Sequence, residues 1–180
     1  MSDSQPWRNP RPAPSFSEIR AKTPMPRGVA RLWAWWPAIL WSGVIFTAST
    51  DAFSAEHTKW FFEPIWRWLI PGLAQSQYDF IHHVIRKCAH FAEYFAYCIL
   101  LYRAVRAHRT GWRWIWGIAA LLIAAGYSVT DEFHQSFVAS RTASPYDSLL
   151  DTTGAFVALV VLWVWFRRRR AGGTPASSFE

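Results

Sequence analysis

Four apolar runs divide the chain, at residues 32–48, 84–105, 112–130 and 146–166. Each approaches the roughly 20 residues that a helix needs to cross the hydrocarbon core of a bilayer. Lipid cannot satisfy backbone N–H and C=O groups, so a spanning segment is either a helix or a strand of a closed barrel. None of the runs alternates apolar and polar positions with the period of two that a barrel strand requires, so helices are predicted. The second run stands apart because several polar residues interrupt it. Between the first and second runs, Trp60, Phe61, Phe62, Ile65, Trp66, Trp68 and Leu69 are broken by Pro64 and Pro71. That pattern predicts a short helix lying in the interface rather than crossing it.

Charge sets the orientation. Lys and Arg close to span ends favour the cytoplasmic side. The N-terminal stretch carries Arg8, Arg11, Arg20, Lys22, Arg27 and Arg31, the loop after the second run carries Arg103, Arg106, Arg109 and Arg113, and the C-terminus carries Arg167, Arg168, Arg169 and Arg170. The other two loops mix signs, with Asp51, Glu56, Lys59, Glu63, Arg67, Asp79, Arg86 and Lys87 in one and Asp131, Glu132, Arg141 and Asp147 in the other. Both termini are therefore expected in the cytoplasm of a multi-pass cell-membrane protein. The prediction is an all-α, polytopic membrane four-helix bundle with a short interfacial helix in the first outward loop. Residues 1–31, rich in Pro and Arg, are expected to form a disordered basic tail, residues 32–166 the membrane domain, and residues 167–180 a second basic, disordered tail. The first apolar run begins too late, and after too many charges, for an ordinary cleaved signal peptide, so it is expected to stay as the first span.

Composition agrees. The 13 Trp among 180 residues suit a protein with two water–lipid interfaces. The mean hydropathy of +0.02 is low because polar tails and tryptophan dilute the apolar runs. A net charge of +7 raises the question of nucleic acid. The basic residues lie in short stretches beside the apolar runs, with no folded domain to present them, so the bilayer is the expected partner and nucleic acid is not. Cys88 and Cys98 lie about 15 Å apart along a helix, too far for a disulfide.

The polar residues inside the runs carry the candidate chemistry, because ionisable groups at membrane depth are costly and face protein or water. At about 100° per residue, His83, Lys87, His90, Tyr94 and Tyr97 fall in a stripe roughly 80° wide, with Glu93 on its flank. Asp131 and Gln135 share a face of the third run, with Glu132 and Ser128 beside them. The fourth run opens Ser144-Pro145-Tyr146-Asp147, a sound helix start with Ser at N-cap, Pro at N1 and an acid at N3. Asp147, Asp151, Gly154 and Ala158 then share a narrow stripe, in which Gly154 and Ala158 would let another helix approach closely. All of these polar stripes lie toward the outer membrane face.

These residues resemble the VanZ-like family of integral membrane proteins. The resemblance rests on Lys87-x-x-His90-x-x-Glu93-Tyr94, Asp131-Glu132-x-x-Gln135, Arg141, and Asp147 with Asp151 and Gly154, preceded by Ser49-Thr50 after the first span. It covers about residues 32–166. One departure is Asp151, where the family pattern has Asn as often as Asp; His82, His83 and His134 fall outside the pattern. The family name comes from glycopeptide resistance, teicoplanin in particular. The resemblance thus implies a role at the cell envelope, with no settled biochemical activity.

Three functions follow. In the first, the cluster is an outward-facing site that binds or acts on a cell-envelope precursor, lipid headgroup or other lipid-linked group. His90 would be its acid/base, poised by Glu93 or Asp131, and Lys87 and Arg141 would hold an anionic group, with Tyr94, Glu132, Gln135, Asp147 and Asp151 completing the binding wall. No nucleophile frame of the G-x-S-x-G kind surrounds Ser49, Thr50, Ser128 or Ser144. In the second, the stripes line a path for protons or solutes, which would need polar groups in the cytoplasmic halves of the spans as well. In the third, the charges hold a scaffold that does no chemistry. Neither a metal nor another cofactor is expected: there is no H-E-x-x-H, adjacent His82 and His83 diverge by about 100°, and Lys87 would repel a cation.

Overall fold

The computed structural model describes residues 27–50, 55–137 and 144–171, and in them the chain forms helices α1 (Arg27–Ala48), α2 (Ala55–Leu69), α3 (Gln75–Arg106), α4 (Trp114–Gln135) and α5 (Pro145–Ala171). Arg141, most of the two predicted tails and the side chains of Trp60 and Phe61 lie outside the described residues. α1, α4 and α5 are each long and apolar enough to cross a membrane. α3 is the longest helix, 32 residues or about 48 Å, but its polar stripe keeps it out of that group. It is also the helix against which α1, α4 and α5 all pack. Its polar residues can therefore turn toward protein, which is what a helix of mixed polarity needs in lipid. The result is an all-α membrane bundle of four long helices, with α2 as a short helix in the first loop.

The surface is the inverse of a water-soluble protein. Leu32, Ile39 and Leu40 on α1, Ile118 and Leu122 on α4, and Leu149 and Phe156 on α5 are exposed. Many of the residues between the helices are small, among them Ala38, Ala120, Ala124, Ala155 and Ala158. Small side chains let backbones meet where lipid gives no hydrophobic drive for helix association. Gly154 marks the closest approach: a Cβ placed there would lie 2.4 Å from the Phe91 carbonyl oxygen of α3.

Two helices begin earlier than the apolar runs predict. α1 starts at Arg27, and α3 starts at Gln75 rather than near residue 84. The α3 start is set by backbone hydrogen bonding: the Ala74 N–H donates to the Gln77 side chain at 2.8 Å. Ala74 has no capping oxygen, and no apolar period marks these turns, so the signal was absent from the pattern. Among the described side chains of α2, Phe62, Ile65 and Trp68 are exposed. Arg67 bridges Glu63 at 2.7 Å, and its hydrogen bonds hold the Glu63 carboxyl below its ordinary range. Arg67 also lies over the Tyr78 ring and bonds Gln75, which ties α2 to the start of α3.

The bundle runs up and down, so its ends differ. One end gathers the arginines of the α1 start, the α3–α4 loop and the α5 terminus. There Arg106 lies over Phe166, Arg113 over Trp116, Arg167 over Trp163 and Arg169 over Trp165. The other end gathers the acids.

Candidate functional site

At the acidic end α1 and α4 finish while α3 and α5 begin, and the buried acids of the described residues all lie there: Asp131, Glu132, Asp147 and Asp151. Asp147, in the first turn of α5, pairs with the Lys87 ammonium of α3. One turn further along each helix, Asp151 faces His90, with its Oδ1 3.7 Å from the imidazole Nδ1. The spacings Lys87–His90 and Asp147–Asp151 are those that stack side chains on one helix face, so the two cross-helix pairs lie on successive turns. Gly154 explains why the pairs can form at all, since α5 could not come this close to α3 with a side chain there.

α4 supplies the third wall. Ser128 donates its hydroxyl to Asp151 Oδ2 at 3.0 Å and lies 3.0 Å from the Ser148 hydroxyl. Asp131 points the other way, toward α1, where its Oδ2 accepts from the Ser49 hydroxyl at 2.7 Å and from the Gln135 amide at 3.0 Å. Glu132 Oε2 accepts from the Ser144 N–H at 2.9 Å, tying the last turn of α4 to the start of α5. Tyr94 fills the centre with no exposure, its hydroxyl beside Ser128 and within electrostatic reach of Asp131 and Asp151.

Two carboxylate oxygens in this cluster, Glu132 Oε1 and Asp151 Oδ1, are buried with no hydrogen-bond partner, as is the Tyr94 hydroxyl. Buried polar atoms are nearly always satisfied, and leaving one without a partner costs about 1–3 kcal/mol. The site thus has unfilled accepting capacity. A groove of about 420 Å³ between the end of α4 and the start of α5 reaches it, lined by Val129, Glu132, Phe133, Ser136, Ser144 and Ser148. Among the described residues, Asp147 and Asp151 face Lys87 and His90, while Asp131 and Glu132 are held by neutral donors. No group of three or more His, Cys, Asp or Glu residues among them is arranged to hold a metal ion.

The structure brings together Lys87, His90, Tyr94, Asp131, Glu132, Gln135, Asp147 and Asp151. It places Glu93 elsewhere on α3, on the flank that meets α1, where its backbone carbonyl accepts from the Trp41 indole N–H at 3.0 Å. His83 is exposed, because the first turns of α3 run beyond the level at which α5 begins. His134 lies against Phe46 of α1 at a tilt of 40°, with ring centroids 4.8 Å apart. Sequence reading did not choose Asp151 as the partner of His90, since nothing in one helix tells which acid of another faces it. It also passed over Ser148, a residue with no periodic signal of its own.

Beyond the cluster the interior changes character. Tyr97 packs between Tyr94 and Tyr127, and the Tyr127 hydroxyl donates to the Ser42 carbonyl at 2.7 Å. Toward the basic end the buried residues are Cys98, Leu101, Tyr102, Ala120, Ala124, Ala155, Ala158 and Leu159, with no buried charge among the described residues.

A family model described as VanZ/LLP1 matches residues 34–167. No curated protein and no solved structure matches the chain.

Proposed function

The chain belongs to the VanZ/LLP1 family, and from that premise we propose that its buried polar cluster is an envelope-facing site that binds or acts on a cell-envelope or lipid-linked group and supports tolerance of glycopeptides such as teicoplanin. The observation that carries this reading is the Glu132 side chain, which lines the groove between α4 and α5 and whose buried Oε1 has no hydrogen-bond partner, with Asp151 buried behind it against His90. A framework built only for packing has every reason to satisfy its buried acceptors, whereas a site leaves them for a ligand. The ligand should bring donors. Hydroxyl and amino groups, which envelope glycans and their lipid-linked forms carry in number, match the accepting oxygens.

The basic end is the cytoplasmic one in this reading, with both termini inside, because arginine flanks three of its chain segments. The groove then opens at the outer leaflet, where a lipid-linked group can reach it without leaving the membrane. His90, carboxylate-paired to Asp151, is the proton carrier should a bond be made or broken. Lys87 and Asp147 position the ligand, together with Tyr94, Glu132, Gln135 and Arg141. A relay across the whole bundle finds little support, since the buried interior toward the basic end is apolar or aromatic.

The test compares teicoplanin susceptibility of cells lacking the protein with cells carrying wild type, Lys87→Ala, His90→Ala or Asp131→Asn, at membrane levels matched by blot. Wild type should lower susceptibility, and the variants should lose that protection while still accumulating. Equal protection by all variants would make the cluster a scaffold. No protection by wild type would detach this chain from glycopeptide tolerance.

A further inference from the structure

At the opposite end of the bundle a crevice of about 590 Å³ opens between the first turns of α1 and the last turns of α3. Its floor is apolar, made by Ala30 and Trp35 of α1 and by Ala104 and Val105 of α3. Its rim is basic, with Arg31 from α1 and His108 and Arg109 from the turn after α3, and no acid among the described residues lines it. Arg31 and Arg109 are both exposed, and the Arg109 guanidinium rests over the Trp116 ring, a cation–π contact that leaves its N–H edge free to turn to a ligand. A helix of 22 residues is about 33 Å long, close to the thickness of the hydrocarbon core, so the first turns of α1 lie at the depth of lipid headgroups.

An apolar slot with a cationic mouth at headgroup depth has the complement of one molecule type. We propose that this crevice binds an anionic phospholipid, with one acyl chain against Trp35, Ala104 and Val105 and the phosphate between Arg31 and Arg109. Arginine suits the role because its planar fork meets two phosphate oxygens at once. Small residues at 30 and 104 keep the slot open, where larger ones would close it. The crevice is separate from the acidic cluster, and this assignment stands whether or not that cluster binds an envelope group.

The experiment is native mass spectrometry of the full chain in neutral detergent, titrated in separate arms with phosphatidylglycerol, phosphatidylcholine and inorganic phosphate. Folding of each variant is checked by size exclusion and circular dichroism. One phosphatidylglycerol should be retained per chain in preference to phosphatidylcholine. Arg31→Gln with Arg109→Gln should weaken that retention by about thirtyfold, two charges at an anionic surface being lost. The paired Lys substitutions at 31 and 109 should keep most of it. Val105→Trp should block retention without changing the charge. Arg168→Gln with Arg169→Gln removes as much charge outside the crevice and should have little effect. Equal weakening by both Gln pairs would reduce the site to general attraction and overturn it. Equal retention of phosphatidylcholine, or binding of phosphate that outcompetes the lipid, would overturn it as well.

Discussion

Each charged side chain in the acidic cluster is held by a partner from another segment of the chain, and Asp131 also by Gln135 of its own helix. Asp147 holds Lys87, Asp151 faces His90, Ser49 and Gln135 hold Asp131, and the Ser144 amide holds Glu132. Removing one member of a buried pair costs more than the pair contributes, since the other charge is left without compensation. Lys87→Met should therefore lower stability by about 3 kcal/mol, near the low end of that range because its side chain keeps 30% exposure. Lys87→Met with Asp147→Asn should recover most of the loss. Thermal unfolding of the purified chain in detergent reads both, and a single variant no less stable than Arg86→Met would show that the pair holds nothing. Much of this was legible in sequence. Helical angle alone places Lys87, His90, Tyr94 and Tyr97 on one face of α3, with His83 exposed beyond them. Partner choice was not legible. Whether His90 meets Asp151, Asp131 or Glu93 depends on the rotation of α5 and α4 about their axes, and only packing fixes that.

The helices themselves were readable in number and order, less so in extent. Apolar runs mark where lipid must be faced, not where a helix stops, so α1 and α3 extend past their runs into polar sequence. Two backbone features were invisible for different reasons. Gly154 could be read as part of a small-residue stripe, but its neighbour, the Phe91 carbonyl, could not. Gly154→Val should push α3 and α5 apart and cost about 3 kcal/mol, at the upper end for overpacking. Gly126→Ala, where nothing lies within 4 Å of a new Cβ, should be tolerated. Membrane accumulation of the two variants side by side would separate them, and equal accumulation would refute the close approach. Ala107 is the second feature. It ends α3 with φ 50° and ψ −128°, and the Arg109 N–H bonds back to the Arg106 carbonyl at 3.1 Å. That is the first central position of a type II′ turn, which favours glycine. Nothing in Arg106-Ala107-His108-Arg109 announces a turn of this type. Ala107→Gly should relieve strain and raise stability by about 1 kcal/mol, seen as a higher unfolding midpoint. A lower midpoint would mean the turn is not strained.

At the scale of the whole molecule the chain divides its chemistry between two ends. Arginines and aromatic rings interleave at one, and carboxyls with their counter-groups are sealed between helices at the other. The apolar and aromatic interior between the ends keeps them independent. The functional reading depends on which end faces the envelope. The direct measurement is labelling of intact cells with a membrane-impermeant maleimide, using chains in which Cys88→Ser and Cys98→Ala remove the native thiols. Tyr146→Cys reports the acidic end, since Tyr146 is 80% exposed at the start of α5 beside Asp147, and His108→Cys reports the basic end. The account predicts that Tyr146→Cys is labelled in intact cells and His108→Cys only after lysis. The reverse pattern would put the cluster on the cytoplasmic side and contradict an envelope-facing site.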